Sequence, residues 1–583
     1  MACGRAVGPA SAGDLDRQLR LAAGAPAPLV DKMRRSRLSG ERKPVTALFA
    51  DVVGSTSLAE RMDPEDWTQM MNQVFELMSQ AVFRYEGTIA QLQGDAMLAF
   101  FGAPIAHEDD PERAVRAALD MVTAADEFAR QLKAAQGTDF RIRAGINSGP
   151  VVVGNVGNDL RYEYTALGDA VNVAARAQAA AEPGTVLITA ATQRFVAATF
   201  EFADLGLIEV KGKAERVHAY RVVGIRADPA RRRGLQAVGL TSPMVGRATE
   251  LEALVRQYAV AAAGRGRLAL IIGEPGIGKS RLLAEFRARV AGSNGLSWYE
   301  GRCVSYGRTL PYHLVLDLVR SVLGIPAGAS EAEESMRLRA GVAALLGSDA
   351  GDSEPYLGHL LGLRDAGQAA EQMQLDPETM QGRYVAASHR LLRARATQGP
   401  IVIVLEDIHW ADPASVEVLL QLLPLTTSLP ILVVAAGRAE TDAPGWRLVA
   451  NARATFGDTL VELRLEPLDA EQSRALVGNL LEIESLPEVV RQTILARSEG
   501  NPFFVEEVIR MLIEQGAIAQ QDGRWLATDS IASVEIPANL QLLLLARIDQ
   551  LPDEAKRSLR VASVIGRQFP VRVLEHVLTN TES

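Results

Sequence analysis

The stretch that most constrains this chain is Leu268-Ala269-Leu270-Ile271-Ile272 running into Gly273-Glu274-Pro275-Gly276-Ile277-Gly278-Lys279-Ser280 and a helical pattern. An unbroken apolar run reads as a strand covered on both faces, which is the habit of a parallel sheet flanked by helices. Gly-x-x-x-x-Gly-Lys-Ser between such a strand and a helix is a phosphate-binding loop. Its backbone N–H groups and the helix N-terminus cradle phosphates, Lys279 reaches the β and γ oxygens, and Ser280 ligates Mg²⁺. A second buried strand, residues 401–405, ends on Glu406-Asp407, where an acid pair completes such a metal site. A third, residues 431–435, delivers Arg438 to the same edge, within reach of a γ-phosphate. His409-Trp410 reads as structural.

The first part of the chain carries a different pattern. Val45 to Ala50 form an apolar strand that ends on Asp51 and passes through Val52-Val53 into Gly54-Ser55-Thr56. An unpaired carboxylate at the end of a buried strand is costly, so Asp51 either meets a cation or caps the turn. Asp63-Pro64-Glu65-Asp66 starts a helix, with Met70, Val74, Leu77, Met78, Ala81, Val82 and Tyr85 at helical spacing. Strands follow at 88–92 and 96–101 around the hairpin Gln93-Gly94-Asp95, then a helix over 110–133. Strands at 141–147 and 151–156, a helix over 170–181, and strands at 186–189, 201–210 and 219–223 complete an α/β or α+β sandwich. The hairpin can set Asp95 beside Asp51. Two adjacent carboxylates repel unless a cation lies between them, and oxygen-only ligands suit Mg²⁺ or Mn²⁺ acting on phosphates. Asn172 and Arg176, four apart on one helix face, offer an amide and a guanidinium that can hold a phosphate or its transition state.

With these residues in place, 44–224 resemble the catalytic domain of class III nucleotidyl cyclases. The matching pieces are Phe49-Ala50-Asp51-Val52-Val53-Gly54-Ser55-Thr56, Gly94-Asp95, Gly168-Asp169-Ala170-Val171-Asn172-Val173-Ala174-Ala175-Arg176 and Val210-Lys211-Gly212-Lys213. The resemblance implies a ferredoxin-like α+β unit working as a homodimer. Two Mg²⁺ or Mn²⁺ ions would sit on Asp51 and Asp95, assisted by the Val52 carbonyl. Asn172 would orient the ribose, Arg176 would meet charge on the α-phosphate, and Lys211 would bind the terminal phosphates, all three reaching over from the other protomer. The base-recognition positions fall on Gln91 and Thr165. Thr165 lies within the adenylyl range, whereas Gln91 replaces the usual Lys, and its amide can serve adenine or guanine. ATP is the preferred substrate on this reading and GTP the alternative. The short stretch between Val153 and Tyr164 resembles members with a reduced dimerisation arm.

Residues 243–520 resemble the signal-transducing branch of AAA-related P-loop ATPases, with Glu406-Asp407 as the Walker B pair and Gly500-Asn501-Pro502-Phe503-Phe504 downstream. In that branch the Pro502 position touches the base, and ATP·Mg²⁺ is the bound nucleotide. Residues 521–583 resemble the helical, winged-helix region that follows, here a packing and switching module that could meet a protein partner. Related architectures often continue into helical repeats, so a short or truncated form is expected. The expected organisation is thus a tail (1–43), a cyclase domain (44–224), a linker (225–242), a parallel α/β ATPase domain (243–520) and the C-terminal region (521–583).

Composition narrows the partners. A formal charge of −10 gives no general attraction to nucleic acid or anionic membranes, and the basic residues near 32–43 have no interleaved aromatics to stack bases. Cys3 and Cys303 cannot build a disulfide framework, and no apolar run reaches the ~18 residues that span a bilayer. A cytoplasmic enzyme is expected, with a nucleotide-switched scaffold carrying a weak or inactive cyclase-like domain as the alternative.

Overall fold

The computed structural model describes residues 41–156, 163–167, 169–208, 216–226, 242–326, 328–364, 375–481 and, with short breaks at 493, 496–497, 515 and 522–523, residues 491–528; beyond these only 558–559, 561–563 and 572 are described. The chain forms two compact units, Met1–Gly224 with Ala538–Ser583, and Ile225–Pro537. The N-terminal tail to residue 40, Lys211, most of the expected linker and nearly all of the expected winged-helix region lie outside the described residues.

The first unit runs β1 (Glu41–Val52), α1 (Ser55–Ala59), α2 (Pro64–Arg84), β2 (Thr88–Gln93), β3 (Ala96–Phe101), α3 (Asp110–Gln136), β4 (Ile142–Val156), β5 (Glu163–Leu167), α4 (Asp169–Ala180), β6 (Val186–Thr189), α5 (Ala190–Val196), β7 (Phe200–Ile208) and β8 (Val217–Ile225). Asp63 caps α2 by accepting from the Glu65 N–H at 2.9 Å, and Met70, Met71, Val74, Phe75, Met78 and Val82 form its buried stripe. The sheet order is β2-β3-β1-β4-β6-β8-β7, with β5 on β4. The first four strands pair antiparallel as β2-β3-β1-β4, which is the ferredoxin-like arrangement the resemblance implied. Where the sequence suggests two strands broken at Gly149-Pro150, one strand, β4, runs from 142 to 156. The long β1 pairs along it and sets Pro44 opposite Pro150, so the two missing N–H donors share one register position. The sequence reading also missed β5 and the short α5.

The helix α4 lies so close to β4 that a Cβ on Gly145 would fall 1.9 Å from the Gln178 backbone nitrogen and 2.6 Å from the Ala174 carbonyl oxygen. Only glycine permits that approach. On α3, Arg113 is fully buried and is held by Asp109 (2.8 Å) and Glu86 (2.8 Å). His107 joins them through Glu86 at 3.1 Å and Asp110 at 3.2 Å.

The second unit contains α6 (Ala248–Ala262), β9 (Arg267–Gly273), α7 (Lys279–Val290), β10 (Ser297–Arg302), α8 (His313–Leu323), α9 (Glu331–Leu346), α10 (Glu354–Leu360), α11 (Pro377–Ala396), β11 (Ile401–Glu406), α12 (Pro413–Thr426), β12 (Ile431–Gly437), α13 (Trp446–Phe456), β13 (Val461–Leu465), α14 (Ala470–Leu481), α15 (Pro502–Glu514) and the hairpin β14 (Ile518–Gln521) with β15 (Arg524–Ala527). Strands β9 to β13 form a parallel sheet in the order β10-β11-β12-β9-β13. Alternate residues of β9, β11 and β12 feed two apolar layers, with Leu268, Leu270, Ile401 and Ile403 in one and Ala269, Ile271, Val402 and Val404 in the other. Both faces are covered, as unbroken apolar strands require. No helix among the described residues is long and apolar enough to cross a membrane.

Burial and the nearby Arg113 oppose a charged His107 ring, but its hydrogen bonds to Asp110 and Glu86 outweigh them and raise its pKa to about 9. A raised pKa adds stability that is complete below the unfolded value of 6.5 and lost as pH climbs through 9. Denaturant unfolding of the first unit should therefore show a loss of up to about 3 kcal/mol between those limits. His107→Gln should flatten that slope, and an unchanged slope would show that the network does not set it.

Candidate active site and nucleotide loop

In the first unit Asp51 and Asp95 lie at one end of the sheet. Asp51, near the end of β1, lies opposite Ala96 of β3 on one side and Arg143 of β4 on the other. Asp95 immediately precedes Ala96, in the two-residue loop that joins Gln93 to Ala96 with Gly94 at φ 62°. The two-residue hairpin therefore sets the second carboxylate at the end of the strand carrying the first. The Asp51 side chain, 19% exposed, accepts from Arg143 through both oxygens, Nε to Oδ1 at 3.0 Å and Nη2 to Oδ2 at 3.3 Å. The third nitrogen of that guanidinium, Nη1, donates to the Ala179 carbonyl of α4 at 2.8 Å.

Helix α4 buries Ala170, Val173, Ala174, Ala177 and Gln178 while leaving Asn172 exposed. Arg176 is partly buried, and its Nη1 has no hydrogen-bond partner among the described residues, an unmet donor of the kind a ligand oxygen satisfies. Gln91 is exposed on β2, next to an irregularity in the β2–β3 ladder. Thr165 pairs with Gly154 on β5; its side chain, like Lys211, lies outside the described residues. Asp51 and Asp95 with the neighbouring Val52 backbone offer hard oxygen donors and few of them. That suits Mg²⁺ or Mn²⁺ whose remaining positions are filled by phosphate and water oxygens.

In the second unit the phosphate loop joins β9 to α7, with Gly276 at φ 75° and Gly278 at φ 103° supplying its left-handed turns. Lys279 donates to the loop carbonyls of Gly273 (2.9 Å) and Glu274 (3.0 Å). The Ser280 hydroxyl donates to Glu406 at 2.7 Å, which joins the loop to the acid pair at the end of β11. Asp407 sits at φ 57°. Burial raises its pKa above the usual carboxylate range, and Arg302, 3.6 Å away, opposes that rise. Arg438 leaves β12 to lie 5.2 Å over the Trp410 ring and 3.9 Å from Glu440. Arg308 bonds the His409 carbonyl at 2.7 Å and reaches Glu440 at 3.3 Å. The buried His409 ring lies 4.5 Å from the Trp410 ring, tilted by 39°; neither of its nitrogens has a hydrogen-bond partner among the described residues, and burial pushes its pKa down to about 2, so it stays neutral.

A distant segment also grips the loop. The Asn501 amide donates to the Pro275 carbonyl at 2.9 Å and the Phe503 N–H to the Gly276 carbonyl at 3.3 Å, with Pro502 between them at the start of α15. A Cβ on Gly276 would lie 2.5 Å from the Phe503 Cβ. Sequence reasoning singled out Pro502 but missed the contacts on either side. It missed Arg143, Arg302 and Arg308 as well. A signal existed for Arg143, a lone charge inside Ile142-Arg143-Ala144-Gly145-Ile146, which needs an acidic neighbour if that strand is buried.

Comparison with known proteins matches two stretches of the chain to described domain families. Residues 39–224 match the family described as the adenylate and guanylate cyclase catalytic domain, and residues 243–434 match the AAA ATPase domain. Residues 469–525 match a domain of unknown function. Over 186 residues the chain is 37% identical to adenylate cyclase 1 of Rhizobium meliloti, covering 32% of this chain and 28% of that protein. An uncharacterised protein of the same organism is 29% identical over 548 residues, 92% of this chain and 50% of that protein. The chain thus spans at most about half the length of these relatives. The crystal structure of the adenylyl cyclase CyaB from P. aeruginosa is 36% identical over 33% of this chain and 99% of that one, with a TM-score of 0.32. The chain is a fusion of two known kinds of domain. Residues 39–224 are a class III cyclase catalytic domain, and residues 243–434 are an AAA-type P-loop ATPase domain.

Asn501→Ala removes one hydrogen bond to the phosphate loop and leaves the Pro275 carbonyl without that donor. Such a bond is worth about 1 kcal/mol, so ATP binding should weaken roughly fivefold. Titration with a fluorescent ATP analogue measures it, and unchanged affinity would show that the clamp does not shape the loop.

Proposed function

We propose that the first unit is one half of a homodimeric adenylate cyclase converting ATP to 3′,5′-cyclic AMP and pyrophosphate, and that the P-loop unit binds ATP·Mg²⁺ and regulates it. The observation that carries this reading is the placement of Asp51 and Asp95 at one sheet end, beside a helix bearing Asn172 and Arg176. The match to a cyclase catalytic domain and the likeness to a protein named adenylate cyclase 1 support it.

Asp51 and Asp95, with the Val52 carbonyl, would hold two divalent cations. When bound, such cations acidify a ribose hydroxyl and neutralise a triphosphate. The chain's own residues supply the rest. The Asn172 amide fixes the ribose so that its 3′-oxygen lies in line with the α-phosphorus. That oxygen gives its proton to water and bonds to phosphorus as the bond to the bridging oxygen breaks and pyrophosphate leaves with that bonding pair. Arg176 meets the charge gathering on the α-phosphate with a donor that has no other partner among the described residues, and Lys211 binds the departing phosphates. On this reading Asn172, Arg176 and Lys211 reach the carboxylates of the other protomer, giving two equivalent sites in a twofold dimer. Gln91 and Thr165 face the base, with the Gln91 amide turned to suit adenine.

In the P-loop unit Lys279 and the loop amides take the phosphates, and Ser280, bridged to Glu406, takes the metal side. Arg438 approaches the γ-phosphate and Pro502 the base. Through Asn501 and Phe503 the loop is tied to α15, which gives nucleotide binding a mechanical route to the C-terminal region.

Purified protein with Mn²⁺ and ATP should form cyclic AMP, with little product from GTP. Asp51→Ala should lower the rate by on the order of a thousandfold. Lys279→Ala should change the rate without changing the product. Product from GTP alone would reassign the substrate, and no product from either nucleotide in a folded dimer would favour the scaffold reading.

A further inference from the structure

Arg143 is the side chain that takes both oxygens of Asp51, and it serves a second element at the same time. Its Nε and Nη2 occupy the carboxylate while Nη1 donates to the Ala179 carbonyl. Ala179 lies one residue from the end of α4, so its carbonyl belongs to the last turn, where carbonyls have no intrahelical donor and a cation complements the negative helix end. One planar guanidinium thus bridges the carboxylate expected to carry the cation and the C-terminus of the helix that presents Asn172 and Arg176. The arrangement is tightly built. Asp51 and Arg143 are direct cross-strand partners, and Gly145, two residues on, lets α4 sit against the β4 backbone.

We propose that Arg143 is a positioning residue that competes with the divalent cation for Asp51 and, through Ala179, couples cation loading to the seating of α4. The proposal rests on the cyclase reading above. A cation reaching Asp51 must share a carboxylate whose two oxygens are already engaged, beside a fixed positive charge, so Arg143 weakens cation binding. The cation in turn weakens the hold of Arg143 on Asp51 and shifts the donor that caps α4. Because Asn172 and Arg176 act in the partner's site on that reading, loading one site alters the helix that completes the other. Lysine cannot replace this residue, since its single ammonium lacks the fork that reaches both Asp51 oxygens and Ala179 together.

The test uses the full chain without nucleotide. Electron paramagnetic resonance of free Mn²⁺ gives the binding isotherm, and Asp51→Asn identifies the component that depends on Asp51. Amide hydrogen exchange over residues 177–181 reports the end of α4. The expected result is that Arg143→Gln tightens the Asp51-dependent site about three- to tenfold. Mn²⁺ should speed exchange at 177–181 in the natural chain, whereas in Arg143→Gln exchange is fast with or without Mn²⁺. Arg143→Lys, which keeps the charge, should bind Mn²⁺ as the natural chain does yet show the fast exchange. Equal or weaker Mn²⁺ binding in Arg143→Gln would overturn the proposal while leaving the cyclase reading intact. If Arg143→Gln does not fold, slow Mn²⁺-responsive exchange in Arg143→Lys would overturn it instead. The absence of any Asp51-dependent Mn²⁺ site in the natural chain would overturn both.

Discussion

The pairing of β1 with β3 on one side and β4 on the other governs the first unit. A strand enclosed this way can end in a carboxylate only if its neighbours supply compensating charge, and β4 does so with Arg143 at the matching register position. The same pairing fixes where the β2–β3 hairpin closes, and so where Asp95 lies. A one-residue slip of β1 against either neighbour would move Asp51 to the other face of the sheet and separate these groups. The core is therefore also what aligns the chemistry. Ala47 and Leu48 near the middle of the strand are fully or almost fully buried and hold the register that its end depends on.

A comparable logic runs through the second unit. Strand β9 lies between β12 and β13, so the loop that follows it opens beside the ends of the strands carrying Glu406 and Arg438. The sheet alone does not hold that loop. Its Pro275 and Gly276 carbonyls are engaged by a segment more than two hundred residues later, and the lack of a Cβ on Gly276 makes room for Phe503. Any ligand that reshapes the loop must act on these contacts, which is a local reason for α15 to respond to nucleotide.

Much of this was legible in the sequence because the signals are local. The phosphate loop declares itself by spacing, α2 by its Asp63 cap and apolar stripe, and the β2–β3 hairpin by Gly94-Asp95. The ferredoxin-like order followed from resemblance rather than periodicity, since periodicity alone allowed an α/β or an α+β sandwich. What escaped notice depends on distant partners. Arg143 is one more basic residue until β1 is laid beside β4, and Asn501 is a loop residue until it meets Pro275. The continuity of β4 through Gly149-Pro150 was hidden because a turn-forming pair was accommodated by its long partner strand. On the proposed reading base selection would be equally non-local, depending on Gln91, whose amide has no intrinsic direction, and on a partner surface.

The central claim is that the Asp51–Asp95 pair of one protomer and the Asn172–Arg176 helix of another complete a single site. Mixing two inactive chains, Asp51→Ala and Arg176→Ala, tests it most directly. Random pairing gives half heterodimers, each with one intact site, so cyclic nucleotide production should return to roughly a quarter of the natural rate. If the mixture, shown to exchange subunits, stays as inactive as its components, both sets of residues must act within one chain, and the shared-site account fails.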